Sequence, residues 1–165
     1  MVATKIFYCF LALISIFFLN ACSNNEFKTL NSKYNYIFDY DGFKKTLKIQ
    51  NSNHAYALFF LTQDCGACDA QIPILNELYK ERKFLILAVL NGVKLKEDAQ
   101  KILLEKKLDL PLIYEAKASS FLSKAVGGIY GVPVIVFFDE KGNRYEKFIG
   151  FTPKSILENK TKFLQ

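Results

Sequence analysis

An α/β domain with a mixed central sheet is the fold class that this 165-residue chain predicts. Three observations carry the prediction. The runs "AYALFFL" (55–61), "FLILAVL" (84–90) and "VPVIVFFD" (132–139) are continuously apolar, as strands covered on both faces are. Segments of helical period lie between them. After the third run the chain turns once more and ends on a helix, which adds a hairpin and a final helix to the alternating pattern.

Each element follows from local chemistry. "YNYIFDYDGFKKTLKI" (34–49) reads as two strands joined around Asp41-Gly42. Ile72, Leu75, Leu78 and Tyr79 recur at helical spacing, so 66–82 is predicted as a helix, with Pro73 expected to kink it. "KLKEDAQKILLEKKLDL" (94–110) is predicted as an amphipathic helix with Leu95, Ala99, Ile102 and Leu103 inward. "PLIY" (111–114) reads as a short extended piece, and 119–126 as a helix ended by Gly127-Gly128. "EKGN" turns into a strand over 144–150. Thr152 is expected to cap the last helix, with Pro153 at its first position.

The first residues read differently. Lys5 is their one charge, and Ile6–Leu19 is a 14-residue run that is apolar except at Ser15. A bilayer span needs roughly 20 apolar residues, so this length suits the core of a secretory signal. Leu19-Asn20-Ala21-Cys22 resembles the lipobox of bacterial lipoproteins. That resemblance implies a signal over 1–21, acylation of Cys22 and a lipid anchor in a membrane. By the same sorting rules, Ser23 leans toward the outer over the inner membrane. Residues 22–33 then read as a polar, lipidated tether, and 34–165 as the folded domain.

Composition bounds the rest. An apolar content of 51% suffices for a real core. The formal charge of +6 comes from lysines scattered among acids, without a basic block, so nucleic-acid binding is not expected. Of four cysteines, Cys9 leaves with the signal and Cys22 takes the lipid. The domain keeps Cys65 and Cys68, in an extracytoplasmic compartment where disulfides form.

Those two stand in "FFLTQDCGACDAQIPIL" (59–75), between a predicted strand end and a predicted helix start. At a helix N-terminus the free backbone N–H groups and the dipole favour a thiolate. Cys68, three positions on, lies on the same face within disulfide reach of Cys65. An attacking sulfur with a resolving sulfur behind it suits exchange through a mixed disulfide. A bridge over so short a loop is a weak staple. A closed zinc site is also a poor reading, because the only other ligand type is His54, which has no metal spacing to either cysteine. No metal is expected.

This segment resembles the active-site region of thioredoxin-fold proteins. Together with "LAVLNG", the 94–107 segment, "LDLPLIYEA", "GVPVIVFFDEKGN" and "IGFTPKSILENKTKFL" it is similar to the TlpA-like branch, extracytoplasmic thiol-disulfide oxidoreductases. The likeness spans roughly 34–165 and implies a thioredoxin-like fold with an N-terminal β-hairpin and an inserted helix. It implies Cys65 as nucleophile, Cys68 as resolving thiol, and Val132-Pro133 as a cis-proline element that binds substrate polypeptide. Gly150 corresponds to the family's glycine beside the site. No cofactor beyond the redox-active Cys65–Cys68 disulfide is implied. The expected partners are protein thiols or disulfides and a membrane electron donor, with the chain a monomer facing the periplasm from a membrane anchor.

Some positions depart from the family. Asp64 stands where a Trp is usual, Phe59 where thioredoxins carry a buried acid, and Gln71 where reducing relatives often have Glu. Glu115 is then the candidate for deprotonating Cys68. Asp64 and Asp69 flank the motif, and like charge opposes a thiolate, so a reducing protein is expected. The alternatives are a copper-delivery protein of the same fold, a disulfide oxidase or isomerase, and a peroxidase; the last lacks an Arg near "LTQDCGAC".

Overall fold

The computed structural model describes residues 25–82 and 84–164, so the signal segment and Cys22 lie outside the described residues. Strands β1 (Glu26–Lys28), β2 (Asn35–Asp41) and β3 (Thr46–Ile49) form a small antiparallel sheet. The central sheet contains β4 (Tyr56–Thr62), β5 (Leu85–Asn91), β6 (Leu112–Ile113), β7 (Val134–Phe138) and β8 (Arg144–Ile149) in the order β6-β5-β4-β7-β8. β4, β5 and β6 run parallel; β7 is antiparallel to β4, and β8 to β7. The sheet is mixed, as expected.

Period-2 alternation divides its side chains between two cores. Ala57, Phe59 and Leu61 of β4, Ile86, Ala88 and Leu90 of β5, and Ile135 and Phe137 of β7 share one face. There they meet helices α1 (Gly66–Arg82), α2 (Lys96–Glu105) and α4 (Lys154–Leu164), through Leu75 and Leu78, Ile102, and Leu157. Here α1 is the first helix of the described residues. Tyr56, Leu58 and Phe60, with Leu87, Val89, Val134, Val136 and Phe138, fill the other face. That face is covered by α3 (Ala116–Ala125) through Ala118 and Leu122, and by Phe27, Phe38 and Leu47 of the small sheet.

Several expectations need correction. The tether was expected to reach residue 33, yet Glu26–Lys28 is a strand paired with β2. Beyond it, Leu30 N–H donates to Leu112 O at 2.8 Å, and the Asn31 amide holds both Leu110 O and Leu112 N–H at 2.9 Å. Residues 30–31 therefore cover the open edge of β6, satisfying groups that an edge strand would leave unpaired. The reason is apolar as well: Phe27 is 1% exposed, and its ring packs at a tilt against those of Phe38 and Phe121.

The helix expected over 94–110 is shorter. Leu95 is its exposed N-cap rather than an inward residue, and the helix stops at Glu105. Lys107 takes a left-handed φ of 49° while its N–H bonds Leu104 O and the Leu108 N–H bonds Leu103 O. That is a Schellman stop built on lysine instead of glycine. α3 ends by the same motif with the expected residue, Gly127 at φ 81°, but begins three residues earlier than its periodicity suggested.

Tyr56 ties the sheets together. Its ring stacks on Phe138 at 4.8 Å, and its hydroxyl donates to Leu47 O at 2.7 Å. Burial, then the charge of Asp139, pushes its pKa well above the usual 10, and half-buried Tyr36 is pushed up to about 12 by burial and by Tyr79 and Tyr34. Both hold their protons more tightly folded than unfolded. The stability they contribute is complete below about pH 10 and is lost as pH rises through their folded pKa values. Tyr56→Phe is expected to cost about 1 kcal/mol at pH 7 and to flatten the alkaline fall. Urea melts at neutral and alkaline pH read both effects, and an unchanged alkaline slope contradicts the assignment.

Candidate functional site

The motif occupies the junction that the sequence indicated. β4 ends at Thr62, and α1 begins at Gly66. Cys65 is the helix N-cap: its carbonyl accepts the Asp69 N–H at 3.1 Å, and its Sγ accepts the Cys68 N–H at 3.1 Å. A sulfur thus sits where a capping Ser or Asp oxygen would, on one of the free amides of the first turn. Charge on that sulfur is stabilised by the same amide and by the helix dipole.

The two cysteines form a disulfide with Cα atoms 5.2 Å apart. Cys65 keeps 9% of its surface exposed and Cys68 none. Cys68 belongs to the buried apolar cluster that also contains Phe59, Leu61 and Ile72. Gln71 is fully buried, and both ends of its amide are engaged: Oε1 accepts the Thr152 N–H at 2.7 Å and Nε2 donates to Thr152 O at 3.2 Å. This clamp corrects the expectation for Thr152. Its hydroxyl turns to Gly150 O instead of capping α4, and Pro153 O accepts the first helical bond, from Leu157.

Val132-Pro133 is cis, directly before β7. Val134 pairs with Ile149, Phe60 pairs with Val134, and the Gly150 N–H donates to Pro133 O at 2.8 Å. The register therefore places Pro133 and Gly150 at the end of the sheet from which β4 runs into the cysteines. Val132 packs against the core cluster that contains Cys65 and Cys68.

Two candidates are not brought there. Glu115 is the backbone N-cap of α3, after the edge strand β6 and two strands from β4, about 10 Å across the sheet. His54 is exposed at the start of β4, a seven-residue strand away from the motif, so it cannot share a ligand with the cysteines. The copper reading loses its one histidine on that ground.

The electrostatics also change. Lys106, with only 10% of its side chain exposed, pairs with Asp69. Asn76 holds the pair's supporting loop against α1, donating to Lys107 O at 2.7 Å and accepting from the Asp109 N–H at 3.0 Å. Asp69 is thus offset, and Asp64 is the acid beside Cys65 with no cation partner among the described residues. A cleft of about 750 Å³ opens along this flank, lined by Gln63, Asp64, Asp69, Ile72, Pro73 and Lys106 among others. On the other flank, Tyr130, Ile149 and Phe151 are 98%, 75% and 50% exposed around Pro133 and Gly150. Sequence reading missed Lys106 and these three, since nothing local marks a lysine 37 residues from its partner or an apolar residue left outside.

Fold and site define a thioredoxin-fold protein with a disulfide at the head of its first domain helix. The model of the thioredoxin-like domain family matches residues 43–165, and the chain belongs to that family. Family and disulfide together make it a thiol-disulfide oxidoreductase. No curated protein sequence matches the chain. Among solved structures it is similar to the pneumococcal exposed lipoprotein thioredoxin Etrx1 of Streptococcus pneumoniae, at 22% identity over 86% of this chain and 100% of that one, TM-score 0.65. A thiol:disulfide interchange protein of Chlorobium tepidum aligns at 20% identity over 84% and 91%, TM-score 0.60. StoA of Bacillus subtilis aligns at 21% over 68% and 85%, TM-score 0.58.

Proposed function

We propose that this is a lipid-anchored oxidoreductase of the cell envelope that reduces disulfides in proteins. The observation that carries the reading is the Cys65 cap: an accessible sulfur on a helix amide, bridged to a fully buried one. In the dithiol state the Cys65 thiolate attacks a substrate disulfide, forming a mixed disulfide and expelling one substrate thiolate. The Cys68 thiolate then attacks Cys65 Sγ, releasing the second substrate thiolate and closing the bridge. Two electrons and two protons from a membrane dithiol donor reopen it.

Polypeptide binds beside the cis Val132-Pro133 bond, where exposed Tyr130, Ile149 and Phe151 supply apolar contact. Acylation of Cys22 anchors the chain, facing the periplasm and leaning to the outer membrane. One structural neighbour is by name an exposed lipoprotein, which fits that location. No helix among the described residues is long and apolar enough to cross a membrane. Asp64 supports the reducing direction, because its charge disfavours the Cys65 thiolate and so the dithiol state; Lys106 limits the effect to one acid rather than two. Titration against glutathione tests the direction. A potential more negative than about −200 mV is expected, and one near about −120 mV would make the protein an oxidase instead.

A further inference from the structure

The described chain begins at the pole opposite the disulfide. Arg144 of β8 pairs with Phe138, and Phe138 with Tyr56, the first residue of β4, whose far end leads to Cys65. The Leu47 N–H donates to Gly142 O at 2.8 Å, which ties the small sheet to that same end. β1 is antiparallel to β2, and Asn25 O accepts the Phe38 N–H at 2.9 Å. Read backwards over its described residues, from Lys28 to Asn25, the chain runs along β2 from Asn35 to Phe38, in the direction of Tyr40 and the hairpin tip at 41–45. Cys22 precedes Asn25 by three residues in the sequence.

At this pole a cleft of about 460 Å³ is lined by Tyr40, Lys44, Lys45, Lys124, Asn143 and Arg144, with no acidic side chain in its wall. These cations are scattered in sequence; the fold gathers them. The one acid at the tip, Asp41, is turned into its own loop, accepting the Phe43 and Lys44 N–H groups at 2.9 and 3.0 Å. That turn leaves Phe43 96% exposed, next to two lysines. An exposed aromatic ring among cations is the chemistry of a bilayer interface, with the ring among acyl chains and the cations on phosphates.

We propose that this pole is a membrane-docking face. The cations of the cleft hold the phosphates of anionic lipid headgroups, and Phe43 enters the interfacial layer. The disulfide, about 20 Å away along β4, is thereby turned outward toward its substrates. The orientation rests on the lipid anchor proposed above, since the anchor and the cations then act on one side of the molecule.

The chain contains no tryptophan, so F43W and Y130W each carry a single reporter, one at each pole. The acylated full chain is placed in vesicles of phosphatidylglycerol and phosphatidylethanolamine, or of phosphatidylcholine alone. The F43W emission is expected to shift to the blue and be quenched by brominated lipid in the anionic vesicles, less so in high salt, while Y130W stays water-like. Lys44→Glu, Lys45→Glu and Lys124→Glu together are expected to remove the shift. In sedimentation of the unacylated chain, the same triple change weakens vesicle binding by at least about fivefold per position, since each change removes a cation and adds an anion. Quenching of Y130W but not F43W, or equal F43W shifts in both vesicles, overturns the proposal. Mass spectrometry that finds Cys22 unacylated overturns the anchor reading, whereas the sedimentation assay still judges the cleft.

Discussion

Cys65→Ser abolishes disulfide exchange, and Cys68→Ser turns the protein into a trap for its own substrates. The asymmetry of the site dictates the difference. Cys65 presents the accessible sulfur, whereas Cys68 is fully buried and can reach only Cys65. Without Cys68 a mixed disulfide forms but is not resolved from within. Neither change is expected to unfold the domain. The bridge spans a sequence separation of three, which constrains the unfolded chain little. A serine oxygen at 65 also preserves the cap on the Cys68 amide. Insulin reduction should fall to background in both variants, with melting close to wild type. Non-reducing gels of envelope extracts should show new high-mass species with C68S and none with C65S. Turnover by C65S would overturn the assignment of the nucleophile.

Gly142→Val is expected to destabilise the fold strongly. Gly142 has φ 81°, and a Cβ there would stand 2.6 Å from Leu47 O, a backbone atom. A left-handed residue with a side chain costs about 1–2 kcal/mol, and forcing it into packed atoms adds about 1–3 kcal/mol. The strained contact is also the seam between the two sheets, because Leu47 N–H bonds Gly142 O and Leu47 O accepts the Tyr56 hydroxyl. A fall in melting temperature of about 10 °C or more is expected. Gly131→Ala is the matched control: its Cβ meets nothing within 4 Å, and it should melt within a few degrees of wild type. Equal losses in both would locate the damage elsewhere.

What could be read in advance followed a physical pattern. The three central strands, the helix after the cysteines and the hairpin at Asp41-Gly42 were legible because local sequence carries their signal, whereas the cis bond at Pro133 was implied only by the family resemblance. β1 escaped, since three residues have no periodicity to detect and Phe27 is placed by rings distant in sequence. The early stop of α2 escaped because a lysine rather than a glycine takes the left-handed position. Gln71 was noted as an unusual residue, yet its use is a clamp on Thr152, 81 residues on.

By itself, then, the sequence determined the α/β order, the capping position of Cys65 and the spacing of its partner, all set by interactions within a few residues. Tertiary structure alone decided how exposed each sulfur is, that Lys106 offsets Asp69, that Glu115 and His54 stand away from the cysteines, and that scattered lysines converge opposite them. Burial and charge pairing depend on which distant segments meet, and only the folded chain settles that.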